Sequence, residues 1–242
     1  MKRSDGTGAR RRGIKATWNA FMVEGAEFDV GDIPVCPTTA GVLPGSIISW
    51  PEAKRLHKKM LRHGKKDYAC DSFVHFYVDD YKFDGRRRGI WLYPLATLEV
   101  LRHFEGVITP DFSTNQDFPE PIKTFATYRM RAFGYWLGRR GIAVINNVRW
   151  GTRETWRYSY SGIPKHSVVC IGTVGGSPRK LCDRTRFESG FFEMLSRLEP
   201  ETIIVIGSAD YRCLREASEK GANVVSFESE MAMSFKRTDL HE

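Results

Sequence analysis

A chain of 242 residues, 41% apolar and 12% aromatic, is long enough to fill one α/β core and too apolar to stay disordered. No apolar run approaches the roughly 18 residues that a membrane span needs. The formal charge of +8 is concentrated in residues 1–15, 52–66 and 82–88, which together carry 17 Lys/Arg against three acids and leave the rest of the chain net acidic. Such basic segments suit a partner bearing phosphates, a nucleotide or nucleic acid, rather than a membrane. The plainer reading is that Lys54, Arg55, Lys58, Lys59 and Arg62 form the solvated side of one helix. Five scattered cysteines (Cys36, Cys70, Cys170, Cys182, Cys213) make no C-x-x-C pair, so reduced thiols in a cytoplasmic protein are expected rather than a disulfide frame or structural zinc.

Residues 1–32 read as a basic, mobile arm with Trp18, Phe21, Met22 and Val23 as docking points. They carry basic residues with no apolar segment behind them, unlike a secretory signal. Residues 33–230 read as a single α/β domain and 231–242 as a tail. Within the domain, β-like runs occur at 46–50, 73–80, 106–111, 142–150, 167–173, 202–208 and 223–228, and Gly or Pro marks the joints. Helical stretches fall between most of them. A short one carries Leu95, Leu98 and Leu101; residues 118–138 place Ile122, Phe125, Ala126, Phe133, Trp136 and Leu137 on one stripe. Another stripe (Phe187, Phe191, Met194, Leu195, Leu198) ends at Pro200, and "REASEKGANVV" repeats the helix–Gly–strand order. The alternation predicts mostly parallel strands in a (β/α)-barrel-like or partial barrel, with an open doubly wound sheet as the alternative.

In either architecture ligands gather at the carboxyl ends of the strands, where the exit loops meet. Alternation along the strands puts His75, Tyr77 and Asp79 on one face, Thr109 and Asp111 opposite Ile108, Pro110 and Phe112, and Asn147 and Arg149 opposite Val144, Val148 and Trp150. In "GVITPDFS", Pro110 lacks a ladder donor and should be the last strand residue, leaving Asp111 at the rim. Unpaired buried polar groups cost roughly 2–7 kcal/mol, so these side chains must meet each other, water or a ligand. One reading is a closed network in which Arg149 bridges Asp79 or Asp111. The other is a site in which Asp79 and Asp111 act as metal ligands or general bases and Asn147 orients the substrate. There Arg149 clamps an anion, and Asp79, Asp80 and Asp111 offer oxygens to a divalent cation such as Mg²⁺. His75 is a proton shuttle in that reading and a satisfied structural histidine in the plainer one.

Two glycine turns add candidates for substrate binding. "IGTVGGSPRK" offers backbone donors at Gly172, Thr173, Gly175, Gly176 and Ser177 with two cations behind them, though it matches no phosphate-loop pattern and is often only a turn. "VIGSADYR" puts Ser208 at a strand end outside any nucleophile elbow, with Asp210 placed to cap the next helix. Trp150 completes the set. "YRMRAFGYWL" interleaves arginine with aromatics, a pattern that serves base stacking or, on a helical stripe, core packing.

The ordered series "VHFYVDDYKFD", "GVITPDFS", "YRMRAFGYWL", "NNVRWG", "GIPKHSVVCIGT" and "TIIVIGS" resembles an uncharacterised family of bacteria, their phages and mobile elements, domain of unknown function 4417, over about residues 33–228. The resemblance implies a bacterial or phage cytosolic setting and assigns no role to Asp79, Asp80, Asp111, Asn147 or Arg149. The expectation is a protein acting on a nucleotide or nucleic acid at the strand ends. Its rival is a non-enzymatic nucleic-acid-binding or accessory protein of a mobile element, and a third reading is an interaction module with a purely structural bowl.

Overall fold

The computed structural model describes residues 18–173 and 181–228. A short antiparallel pair, β1 (Phe28–Asp29) and β2 (Ile33–Pro34), precedes a seven-stranded sheet. Its strands are β3 (Ile47–Ser49), β4 (Cys70–His75), β5 (Phe104–Ile108), β6 (Ala143–Asn147), β7 (Val168–Gly172), β8 (Thr202–Ile206) and β9 (Asn223–Phe227). They lie side by side in chain order, every neighbouring pair is parallel, and the sheet curls into a half-barrel. Among the described strands the order never reverses and there is no switch point, so the doubly wound alternative is set aside. Each of the seven β-like runs became a strand.

The helices are α1 (Trp50–Arg62), α2 (Asp80–Phe83), α3 (Pro94–Leu101), α4 (Glu120–Gly138), α5 (Trp156–Ser159), α6 (Leu181–Leu198) and α7 (Arg212–Glu219). Alternation sorts the strand residues into two cores. Phe73, Ile108, Ile145, Cys170, Ile204 and Ile206 fill the concave side. Val74, Val107 and Val144 pack outward in one helix-covered cluster, and Val169, Ile171, Ile203 and Val205 in another. Each fully buried side chain of this size contributes about 1.5–3 kcal/mol.

Two sequence expectations need correction. In β5 the faces are reversed: Ile108 points to the concave core, and the Thr109 methyl lies so close to Gly134 of α4 that a Cβ there would sit 2.5 Å from it. The strand ends at Ile108, two residues before Pro110, although Thr109 N still donates to Ile145 O (2.9 Å). Strand parity lasts only as long as the ladder. Past Pro110 it shifts by one, so Asp111 returns to the concave side and Phe112 enters the outer core against Phe83, ring centroids 5.3 Å apart. On α4, Ile122 and Phe125 are exposed, whereas Lys123, Thr127, Met130 and Arg131 are buried beside Ala126, Phe133, Trp136 and Leu137. The buried stripe is rotated because Lys123 turns inward to donate to Gln116 O (2.7 Å), while Phe125 stays outside, edge-on to Trp91 and stacked on Tyr128.

The segment ahead of the sheet joins the core. Met22 and Val23 are buried, and Phe21 meets Trp136 of α4 edge-on at 6.1 Å. Farther on, the chain occupies the gap where β6 and β7 have not yet paired. Thr39 N donates to Val144 O (3.0 Å), the Thr39 hydroxyl accepts from Val144 N (3.0 Å), and Asn146 Nδ2 donates to Cys36 O (2.7 Å). Val144 thus finds both ladder partners in one threonine, and β7 joins β6 only from Asn146 onward. Asn146, a polar residue on the outward face of β6, holds this segment. Of the described side chains, Cys36, Cys70, Cys170 and Cys213 are free thiols. Among the described residues no helix is long and apolar enough to cross a membrane.

Candidate functional site

Four side chains from three neighbouring strand exits meet at the carboxyl end of the sheet. Tyr77 follows β4, Asp111 follows β5, Asn147 ends β6 and Arg149 lies just beyond it. The Tyr77 hydroxyl donates to Asn147 Oδ1 (2.6 Å), and Asn147 Nδ2 donates to Asp111 Oδ1 (3.0 Å) and Pro110 O (3.3 Å). Arg149 Nη1 donates to Asp111 Oδ2 (2.5 Å) and its Nε to the Thr114 hydroxyl (3.3 Å). The main chain of Asn147 is held as firmly. Its N–H donates to the Thr109 hydroxyl (2.8 Å), and its carbonyl accepts from Arg131 Nη1 (2.9 Å).

Burial sets the electrostatics. It pushes the Asp111 carboxyl above its ordinary range, against the opposing pull of Arg149 and Asn147. The Tyr77 phenol is driven well above its usual value by burial and then by Cys170 and Asp111, so it stays a proton donor. Under the site, Arg131 is fully buried and donates to the carbonyls of Asn147, Ser159 (3.3 Å) and Ser161 (3.1 Å); burial lowers its pKa to about 10. Burial likewise raises the thiols of Cys36 and Cys170 to about 12, leaving them inert.

Above the network lie two adjoining hollows. One of about 70 Å³ is bounded by Tyr77, Asp111, Asn147, Arg149, Trp150 and Gly172. The other, about 250 Å³, lies between Arg149, Trp150 and Phe187, which it shares with the first, and Thr114, Lys123, Thr152 and Arg186. Arg149 stands at their junction. Trp150 packs across Gly190 of α6, where a Cβ would lie 2.1 Å from its ring, and leaves one edge to the cleft. Three cations and one indole face this space, with Asp183 as the acid on its wall.

The structure brings Asp111, Asn147, Arg149, Trp150 and Gly172 together. Asp79 is elsewhere: it precedes α2, is 63% exposed and pairs with Lys82 (3.2 Å). Asp80 is tied to Ser113, accepting from its N–H (3.1 Å) and hydroxyl (2.7 Å). The three carboxylates do not converge, and among the described residues no group of His, Cys, Asp and Glu is arranged to hold a metal ion. Both Asp111 oxygens already accept from Asn147 and Arg149. Thr173 turns its hydroxyl to Ser208 O (3.0 Å), and Ser208 Oγ accepts from Asp210 N (3.1 Å), so both serve the β7 and β8 exits. Asp210 pairs with Arg215 instead of capping α7, whose cap position is Tyr211. His75 is buried and accepts from Tyr77 N (3.3 Å). Gly175, Gly176 and Ser177 lie outside the described residues, as do residues 1–15 and 231–242. Sequence reasoning missed Lys123, Thr114, Arg186 and the supporting Arg131. Polar residues inside an otherwise apolar helical stripe (Lys123, Thr127, Arg131) were the available signal.

No solved structure matches the chain. Two curated relatives are both called Gene 1 protein. That of Mycobacterium phage D29 is 29% identical over 175 residues, covering 72% of this chain and 59% of the relative. That of Mycobacterium phage L5 is 31% identical over 150 residues, 61% of this chain and 62% of the relative. The chain thus spans about six-tenths of the length of these relatives. The sequence profile of one family matches residues 32–228, from the short hairpin to the end of the last strand and across every site residue described above. The matched range contains the whole half-barrel, and the chain is a member of the phage-associated domain of unknown function family DUF4417.

Proposed function

We propose that the cleft over β5, β6 and β7 binds a phosphate-bearing ligand, a nucleotide or a segment of nucleic acid. The observation that carries this reading is the placement of Arg149, fixed by Asp111 and Thr114 and presented to a cleft that Lys123 and Arg186 also face. A guanidinium already oriented by a carboxylate loses little freedom when it meets a phosphate. Trp150 adds an apolar wall for a base or sugar. A carboxylate has about four acceptor sites, so Asp111 retains capacity for a ligand hydroxyl or base N–H beside its two present partners. Such binding calls on no metal, and among the described residues no group of His, Cys, Asp and Glu is arranged to hold one.

Thermal shifts with inorganic phosphate and a panel of nucleotides test the site. A nucleotide at about 100 times its Kd raises stability by about 2.7 kcal/mol, a shift of several degrees. Lys123→Gln and Arg186→Gln should each weaken that response, while Mg²⁺ alone should leave Tm unchanged. A folded sample that no phosphate compound stabilises would remove the reading. A shift produced by Mg²⁺ alone would restore the aspartates as ligands.

A further inference from the structure

We propose that α1 and the turn at 84–89 form one docking ledge for the sugar–phosphate backbone of a single-stranded polynucleotide, whose strand continues into the cleft; this rests on the cleft reading above. Two basic segments far apart in sequence meet here. Lys54 of α1 lies over the Trp50 ring (5.3 Å) and donates to Lys82 O (3.2 Å), which locks α1 to α2. Lys54 has its pKa lowered by burial, then by Lys58 and Arg88, so the cations crowd one another.

The turn holds its arginines outward on a stiff base. Arg86, Arg87 and Arg88 are exposed, and Arg88 N donates to Gly85 O (3.3 Å). A Cβ on Gly89 would lie 2.8 Å from that same carbonyl, so the loop closes only because residue 89 is glycine. Asp84, the acid among residues 82–88, is drawn inside to Arg129 (2.6 Å) and cannot neutralise the three arginines. Among the described residues Lys58, Arg86, Arg87 and Arg88 make no ion pair within 4.0 Å. Counter-charge is left to a partner, and a row of exposed guanidinium groups on one tight turn suits successive phosphates.

Two further features suit unpaired bases and a path toward the cleft. Tyr81 of α2 is 73% exposed and offers a ring face beside the ledge, where a base would stack. Asp80, its neighbour, clamps Ser113 in the β5 exit loop, and Asp111 and Thr114 of that loop hold Arg149. Ledge, aromatic platform and cleft therefore follow one another along the same rim of the sheet.

The test uses the full chain and a labelled single strand longer than the roughly 4–16 nucleotides that one binding module covers. Affinity should fall steeply between about 50 and 200 mM salt. R86Q/R87Q/R88Q should weaken binding about tenfold or more at low salt and flatten the salt slope by about two units, near 0.7 for each phosphate no longer neutralised. Tyr81→Ala should weaken it about fivefold or more with the slope unchanged. Both variants keep residues 1–17, so any loss is the ledge's own, and an unchanged urea midpoint shows that they fold. The triple variant should keep the thermal shift with mononucleotide. A protein that responds to mononucleotide but binds polynucleotide equally with and without the three arginines overturns the ledge and leaves the cleft standing. Arginine-dependent strand binding with no mononucleotide response overturns the cleft and the path into it. Duplex bound more tightly than single strand, or anionic lipid vesicles bound through the same arginines, overturns the choice of partner.

Discussion

Arg131 shows how one residue in an unremarkable helix organises a site it does not line. Its guanidinium has no exposure and replaces water with three carbonyls, those of Asn147, Ser159 and Ser161. One of them belongs to the residue that joins Tyr77 to Asp111. Loss of the side chain leaves those carbonyls buried and bare, and a lysine cannot present three donors in a plane. Arg131→Met and Arg131→Lys should both cost about 3 kcal/mol or more, at about 1–3 kcal/mol for each buried carbonyl left bare, read as a drop in the urea midpoint. A variant within about 0.5 kcal/mol of the parent, the range of surface substitutions, would show that the contacts are incidental.

At the level of elements, the exits of β5 and β6 are registered by side chains where the ladder stops. The Thr109 hydroxyl stands in for a ladder carbonyl, accepting from Asn147 N (2.8 Å), and its methyl packs on Gly134. Thr109→Val keeps the shape and removes the acceptor, leaving a buried N–H unpaired. The expected loss is about 2 kcal/mol, with a matching fall in nucleotide response because Asn147 is no longer fixed. Unchanged stability would mean that water or a neighbour takes over the bond. The gap between β6 and β7 follows the same principle, with Thr39 serving both polar groups of Val144.

For the whole molecule, the shifted groups His75, Asp84 and Asp111 make stability depend on pH. Burial lowers His75 to about 4 from an ordinary 6.5. Between those values the unfolded chain takes up a proton that the folded chain refuses, so this contribution is complete above pH 6.5 and is lost as pH falls toward 4. Its full size is about 3 kcal/mol. Asp84 and Asp111, whose pKa values are raised, act in the opposite sense: their cost is absent while the unfolded carboxyls are protonated and appears as pH rises through the folded values. The stability difference between parent and His75→Gln isolates the histidine. That difference should grow from pH 4 to 6.5 and then level off, as followed by urea midpoints; parallel profiles would show that His75 titrates normally.

Much of the architecture was legible because it rests on short-range pattern. Seven apolar runs joined by helical stripes and Gly or Pro punctuation determine a parallel α/β sheet, since each run must bury two faces and each stripe one. The rim position of Asp111, Asn147 and Arg149 was legible for the same reason, each standing where an apolar run opens into a loop. Asp79 and Asp80 obeyed that pattern too, yet one faces solvent and the other braces a loop, because α2 begins there and each finds a local partner, Lys82 for Asp79 and Ser113 for Asp80. The face reversal in β5 depends on where hydrogen bonding with β6 ends, and the inward turn of Lys123 and Arg131 on carbonyls distant in the chain. Likewise, only folding brings the basic segments of α1 and the 84–89 turn together. Alternation along a strand is a local property of the backbone, whereas convergence of side chains from different exits is decided by how the elements pack.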